Sequence, residues 1–154
     1  MSERFNFVAS PLRDLYRIER KSINDHRGFL SRFFCANEFN EIGFNKPILQ
    51  MNHTLTRKKG SIRGMHYQKP PYVDTKIVTC IQGKILDVAI DLRKGSPTFL
   101  MWHSEILSPE NQFSLFIPDG FAHGFQTLTE DCHILYIHSA PFSPDNEGAL
   151  NPMD

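Results

Sequence analysis

Three cysteines, Cys35, Cys80 and Cys132, are too few and too far apart for a disulfide framework, and none forms a CxxC pair. They read as free thiols in a reducing compartment. An excess of charge is missing too: seventeen Lys and Arg balance seventeen Asp and Glu, a formal net charge of zero. Nucleic-acid binders carry a basic surplus that displaces counterions, so no nucleic-acid partner is expected. The one basic run, Arg57-Lys58-Lys59 ahead of Gly60, reads as a solvated turn. No apolar stretch is long enough to cross a bilayer, and Met1 to Ser10 carries charge early with no apolar core segment. Neither a membrane partner nor a secretory leader is expected. The expectation is a soluble, cytoplasmic protein.

What is present is aromatic. Thirteen of the 154 residues are Phe, which suits pleated, half-buried surfaces. The length fits one domain over residues 1–154. Apolar and polar residues alternate with a period of two over Leu15–Glu19, Ile48–Leu55, Lys76–Ile81, Lys84–Leu92, Phe113–Ile117 and Ile134–His138. Turn signals separate them, among them Gln82-Gly83, Gly95-Ser96-Pro97 and Pro118-Asp119-Gly120. Asn37–Ile42 alone looks helical. Many short strands at regular spacing predict an all-β sandwich or barrel, with a jelly roll among the candidates.

Two histidine-centred segments carry the chemistry: Gly60 to Gln68, containing His66, and Pro118 to Phe125, containing His123. Their spacing resembles the two signature motifs of the cupin superfamily, a jelly-roll barrel. In metal-binding cupins the first motif supplies two histidines and a glutamate, and the second supplies one more histidine. Here Pro118, Gly120 and His123 keep the second motif. In the first, Gln68 stands in place of a histidine, and Pro70, Pro71, Tyr72 and Val73 occupy the glutamate stretch. Two imidazoles and an amide are an incomplete ligand set, so no metal and no cofactor are expected. That leaves His66 available as a base.

The chain further resembles the dTDP-4-dehydrorhamnose 3,5-epimerase family over nearly its whole length. The matching stretches include Asp25 to Phe29, Gln50 to Thr54, Ile62 to Gln68, Lys76 to Val78, Asp87 to Arg93, Gly95 to Phe99, Ile117 to Phe125, Leu135-Tyr136 and Pro144 to Gly148. The resemblance implies a cupin-type jelly-roll barrel, an isomerase of deoxysugar biosynthesis, a nucleotide-diphosphate 4-keto sugar as partner, and a homodimer. It implies that His66 takes a proton beside the ketone and that Tyr136 returns one from the opposite face. Imidazole titrates near neutral pH, which suits the base. Lys76 would stabilise the enolate. Arg27 and Arg63 would clamp the diphosphate, and Gln50, Asn52, His123 and Glu147 would line the substrate site. Asp87 either orients His66 or only caps a ladder. His26, His53, His103, His133 and His138 are expected to be structural. Phe5, Phe7 and Val8 alternate as an edge strand suited to exchange between barrels.

Three departures stand out. The family carries a carboxyl-terminal extension whose aspartate pairs with the catalytic histidine, and the sequence stops at Asp154 before it. Either the sequence belongs to a longer chain, or another carboxylate such as Asp87 substitutes, or activity is weakened. Arg32 replaces a common glutamate near the nucleotide end, and Phe142 replaces a tyrosine. The nucleotide, the sugar, and whether C3, C5 or both are inverted stay open. Two rival readings are a non-catalytic sugar-nucleotide-binding homologue and a metal-dependent cupin oxygenase.

Overall fold

The computed structural model describes residues 3–154; Met1 and Ser2, the start of the segment read for a leader, lie outside the described residues. Two antiparallel sheets carry the architecture. One has six strands in the order β1 (Phe5–Ala9), β2 (Tyr16–Arg20), β10 (Phe113–Ile117), β7 (Lys76–Gln82), β12 (Cys132–His138) and β5 (Gln50–Thr56). The other has five, in the order β13 (Glu147–Ala149), β6 (Ile62–Gln68), β11 (Phe121–Thr127), β8 (Ile85–Asp91) and β9 (Trp102–Leu107). Neighbours in each sheet are mostly distant in sequence because the chain passes repeatedly from one sheet to the other. This is the cupin-type jelly roll. A separate hairpin, β3 (Ile23–Asp25) with β4 (Gly28–Leu30), pairs only with itself.

Alternation explains where the core forms. Along β8, Ile85, Asp87, Ala89 and Asp91 are buried while the residues between them are half-buried. Ile85 and Ala89 join Val78, Cys80, Leu115, Phe125 and Ile134 in a cluster between the sheets. Burial pushes the Cys80 thiol up to about 12, so it behaves as a small apolar group. A second cluster lies on the other face of the six-stranded sheet. There α1 (Ala36–Phe39) and the 3₁₀ turn Asn40–Ile42 pack on Phe5, Ile18, Ile77, Phe116 and Ile137. Four residues of helix are too few to persist alone, so packing holds them. Phe39 stands edge-on to Phe5 at 4.8 Å and to Phe34 at 5.0 Å, a geometry that adds to plain burial.

β1 is the edge strand that the alternation of Phe5, Phe7 and Val8 suggested. It pairs with β2 of its own chain from Phe5↔Arg20 to Ala9↔Tyr16, and Phe5 is buried in the second cluster. The Phe5–Val8 strand is therefore seated within the chain. The projecting element is the β3–β4 hairpin.

The loop leaving β8 is pinned by one carboxylate. Asp91 is fully buried and accepts hydrogen bonds from the Arg93 side chain, from Ser96 Oγ at 2.6 Å and from Thr98 Oγ1 at 2.6 Å. Arg93 reaches on to Asp14 at 2.9 Å. Burial alone would raise the Asp91 carboxyl, but the bonds from Arg93, Ser96 and Thr98 outweigh it and hold the group well below the usual carboxylate range. A depressed folded value gives stability that is present above the unfolded value and lost as pH falls towards the folded one. Urea unfolding followed from neutrality downwards should therefore show stability declining below about pH 4. Asp91→Asn should be less stable at neutrality and lose less on acidification. An unchanged acid slope in that variant would contradict the assignment.

Candidate active site

Three cross-strand rows run along the inner face of the six-stranded sheet. Thr54, Ile134 and Cys80 form the first, Asn52, Tyr136 and Val78 the second, and Gln50, His138 and Lys76 the third. The rows turn from apolar to polar as the barrel opens, because inward positions recur every second residue while the residue type changes. Tyr136 still leans on the apolar cluster. Burial, reinforced by the nearby Asp87 charge, pushes its phenol well above the usual tyrosine range, so it remains protonated.

The five-stranded sheet supplies the facing wall, and its local distortion decides what faces in. Arg63 and His66 are three residues apart on β6, a spacing that a regular strand would send to opposite faces. Both line the same cavity. The pairing of β6 with β11 slips between His123 and Phe125, and Gly64 opposite the slip has φ 115°. A Cβ on Gly64 would lie 2.5 Å from Gly124 Cα and 2.7 Å from the His123 carbonyl. Only glycine permits that backbone approach.

The cavity between the walls measures about 490 Å³ and brings together Asn52, Arg63, His66, Lys76, His123, Tyr136 and Glu147, seven of the residues singled out from sequence. It adjoins a second space of about 590 Å³ that extends past Gln50 to Phe142 at the mouth. Carboxylates partner the basic groups. Glu147 lies 3.3 Å from Nδ1 of His66. It gets there because β13 pairs with β6 in the register Glu147↔Gln68, which makes Glu147 the diagonal neighbour of His66 on one face. Lys76 is half-buried in the cavity wall, and burial lowers its amine; Asp74, 3.8 Å away, works in the opposite direction.

Asp87 is placed differently from the first alternative given for it. Its Oδ1 accepts from Nε2 of His123 at 2.6 Å, both side chains being buried. The pairing of β11 with β8 explains this, since it sets His123 beside Ala89 and Phe125 beside Asp87. The carboxylate beside His66 is Glu147. Arg27 is not in the cavity of its own chain. It sits at the tip of the exposed β3–β4 hairpin, paired with Asp25 at 2.6 Å. Arg32 pairs with Glu38 at 2.6 Å.

Thr54, Asp74 and His138 also line these spaces and were not singled out. His138 was legible, because it lies two residues beyond Tyr136 on one strand and so shares its face. Asp74 stands in the irregular segment before β7 and had no periodic signal. Among the described residues no group of three or more His, Cys, Asp and Glu side chains is arranged to hold a metal ion.

Comparison with known proteins follows the same lines. The family model for dTDP-4-dehydrorhamnose 3,5-epimerase matches residues 9–154. The enzyme of that name from Salmonella typhimurium is 40% identical over 144 residues, 93% of this chain and 78% of the relative. The crystal structure of a dTDP-4-dehydrorhamnose 3,5-epimerase from Bacillus anthracis, with TDP and PPi bound, superposes with a TM-score of 0.93 at 34% identity, covering 97% of this chain and 86% of that one. A dTDP-6-deoxy-D-glucose-3,5-epimerase from Legionella pneumophila, in complex with dTDP-4-keto-L-rhamnose, gives 0.92 at 36% identity, covering 97% and 79%. The barrel, the cavity and the length of these matches lead to one assignment: the chain belongs to the dTDP-4-dehydrorhamnose 3,5-epimerase family, isomerases that act on carbohydrates.

Proposed function

We propose that this chain epimerises a nucleotide-linked 4-keto-6-deoxy sugar at C3, C5 or both, without a cofactor, in deoxysugar biosynthesis. One observation carries the proposal: His66 and Tyr136 enter a single cavity from opposite walls, with Lys76 lining it as well. A ketone at C4 acidifies the neighbouring C–H bonds, since the carbanion delocalises onto oxygen. Inversion then needs a base on one face of the ring and an acid on the other.

His66 takes the proton, and Glu147 beside Nδ1 balances the imidazolium that results. Charge builds on the ketone oxygen and is met by Lys76, a preorganised cation that stabilises the enolate more than the ketone. Tyr136 stays protonated because it is buried, so it can deliver its proton to carbon from the far face. Solvent then restores both groups. Arg63, at the rim common to both spaces, is placed for the diphosphate, and Phe142 at the mouth offers a flat face to the base. His123, fixed by Asp87, borders the sugar end edge-on to Tyr136 at 6.2 Å. The Legionella enzyme was crystallised with dTDP-4-keto-L-rhamnose, a ligand of this chemical class, and the Bacillus enzyme with TDP and PPi.

The working unit in this reading is a homodimer. Phe29 is 70% exposed and Leu30 58% exposed on a hairpin whose two strands pair only with each other. An isolated two-stranded hairpin is marginal in water. β5 closes the six-stranded sheet with an unpaired edge and an exposed Met51. Docking the hairpin of one copy near this edge would cover both and bring a second copy's Arg27 towards the cavity mouth. No helix among the described residues is long and apolar enough to cross a membrane. The three cysteines are unpaired, which suits the reducing cytoplasm in which we place the reaction.

The direct test is incubation with dTDP-4-keto-6-deoxyglucose in deuterated water, with NMR at C3 and C5. Deuterium at either centre supports the enzyme, and nucleotide binding without exchange would reduce the protein to a binding homologue. His66→Ala should abolish exchange and leave nucleotide binding measurable; full exchange would remove His66 as the base. Tyr136→Phe should slow inversion by about 10²-fold or more while sparing the first deprotonation. Equal slowing of both steps would show the acid to be misassigned. In sedimentation experiments, Phe29→Asp should convert a dimer to a monomer with weaker nucleotide affinity, whereas a monomeric unaltered protein would refute the assembly.

A further inference from the structure

The cavity holds an imidazole–carboxylate pair that the scheme above leaves without a task. Nδ1 of His138 donates to Oδ2 of Asp74 at 2.6 Å. The other oxygen, Oδ1, accepts from the backbone N–H groups of Ser139 at 3.1 Å and Ala140 at 3.2 Å. Asp74 is therefore held in place by three donors while its Oδ2 also lies 3.8 Å from Nζ of Lys76. His138 and Lys76 are direct cross-strand partners, so they stand side by side on the inner face and share one carboxylate. Beyond them, the His138 ring stacks on Tyr136 at 5.7 Å with a 13° tilt.

This is more organisation than a structural histidine requires. Nδ1 is committed to Asp74, and Nε2 has no hydrogen-bond partner among the described residues. Nor is Nε2 among the buried polar atoms sealed away without one, so it opens onto the cavity that His138 lines. With Nδ1–H given to the carboxylate, a neutral ring presents a lone pair at Nε2, and a protonated ring presents a second donor. The other ionisable groups lining the two spaces are Asp74 and Lys76 from the β7 side, Tyr136 on its own strand, His53 on β5, and Arg63, His66, Tyr67, His123 and Glu147 across the cavity.

We propose that His138, fixed by Asp74, is a further catalytic residue, whose Nε2–H joins Lys76 as a second donor to the oxygen that becomes negative when His66 removes the proton. This rests on the epimerase reading and deepens it. The ammonium of Lys76 and the imidazolium of His138 against one Asp74 carboxylate leave a single positive charge, which matches the single negative charge of the enolate. No covalent bond involves His138: the proton leaves carbon for His66, charge moves to oxygen and is held by two donors, and Tyr136 returns a proton to carbon.

The test compares deuterium exchange in the unaltered protein, His138→Ala, His138→Gln and Asp74→Asn, with dTDP-4-keto-6-deoxyglucose as probe. His138→Ala should lower kcat on the order of a hundredfold with KM little changed, because the donor acts on charge present only in the transition state. His138→Gln keeps an N–H in place of the imidazole and should recover part of that loss. Asp74→Asn, which removes the carboxylate that fixes the ring, should lower kcat in the same direction. Unchanged kcat in His138→Ala, a loss confined to KM, or a Gln variant no more active than the Ala variant would each overturn the proposal. Absence of exchange in the unaltered protein would overturn the epimerase reading and this inference together, whereas exchange that depends on His66 but not on His138 would overturn only this one.

Discussion

Charge inside a barrel needs an opposite charge close by, because the surrounding apolar walls screen poorly and desolvation is costly. The open end of this barrel meets that constraint with three carboxylates. Glu147 partners His66, Asp87 partners His123, and Asp74 partners both His138 and Lys76. Tyr136 is the neutral member of the set, and burial beside Asp87 keeps it so. The functional reading depends on this matching. Without Asp74, a half-buried Lys76 would tend to shed its proton, and the cation needed for an enolate would be lost.

The scaffold's contribution is to hold these pairs in register. The second apolar cluster on the outer face of the six-stranded sheet stiffens the wall that carries Tyr136, His138 and Lys76. The other wall depends on two irregularities. The slip at Gly64 and Gly124 turns Arg63 and His66 to one side, and the three-residue β13 brings Glu147 diagonally beside His66. Gly148 leaves room for the ring of Tyr67, which would have to shift for any side chain there. Packing therefore governs position, and position governs the chemistry.

The sequence made some of this visible and hid the rest for physical reasons. β8 and β12 could be read from alternation because each has one apolar and one more polar face. β11 could not: nearly every residue in it is buried, so its pattern has no period of two. β6 is rich in polar residues and broken by Gly64, and β13 is too short to show any pattern. His66, Lys76 and Tyr136 were found through motif resemblance. Neither alternative given for Asp87 named His123, because pairing of β8 with β11, rather than with β6, decides its neighbour. His138 was set aside as structural although its place on the Tyr136 face follows from simple alternation. Its partner Asp74 lies across a loop, and no local rule connects the two. The Phe5 strand was correctly read as a strand and as an edge, but its aromatic side chains find their partners at home.

In the proposed reaction this charge-matched end of the barrel receives the sugar between its two walls. A crystal structure with a bound dTDP-linked 4-keto sugar would show whether it does. The expected result is the sugar ring with His66 on one face, Tyr136 on the other, and the ketone oxygen turned towards Lys76. A sugar seated with His66 and Tyr136 on the same face, or outside this cavity altogether, would contradict it.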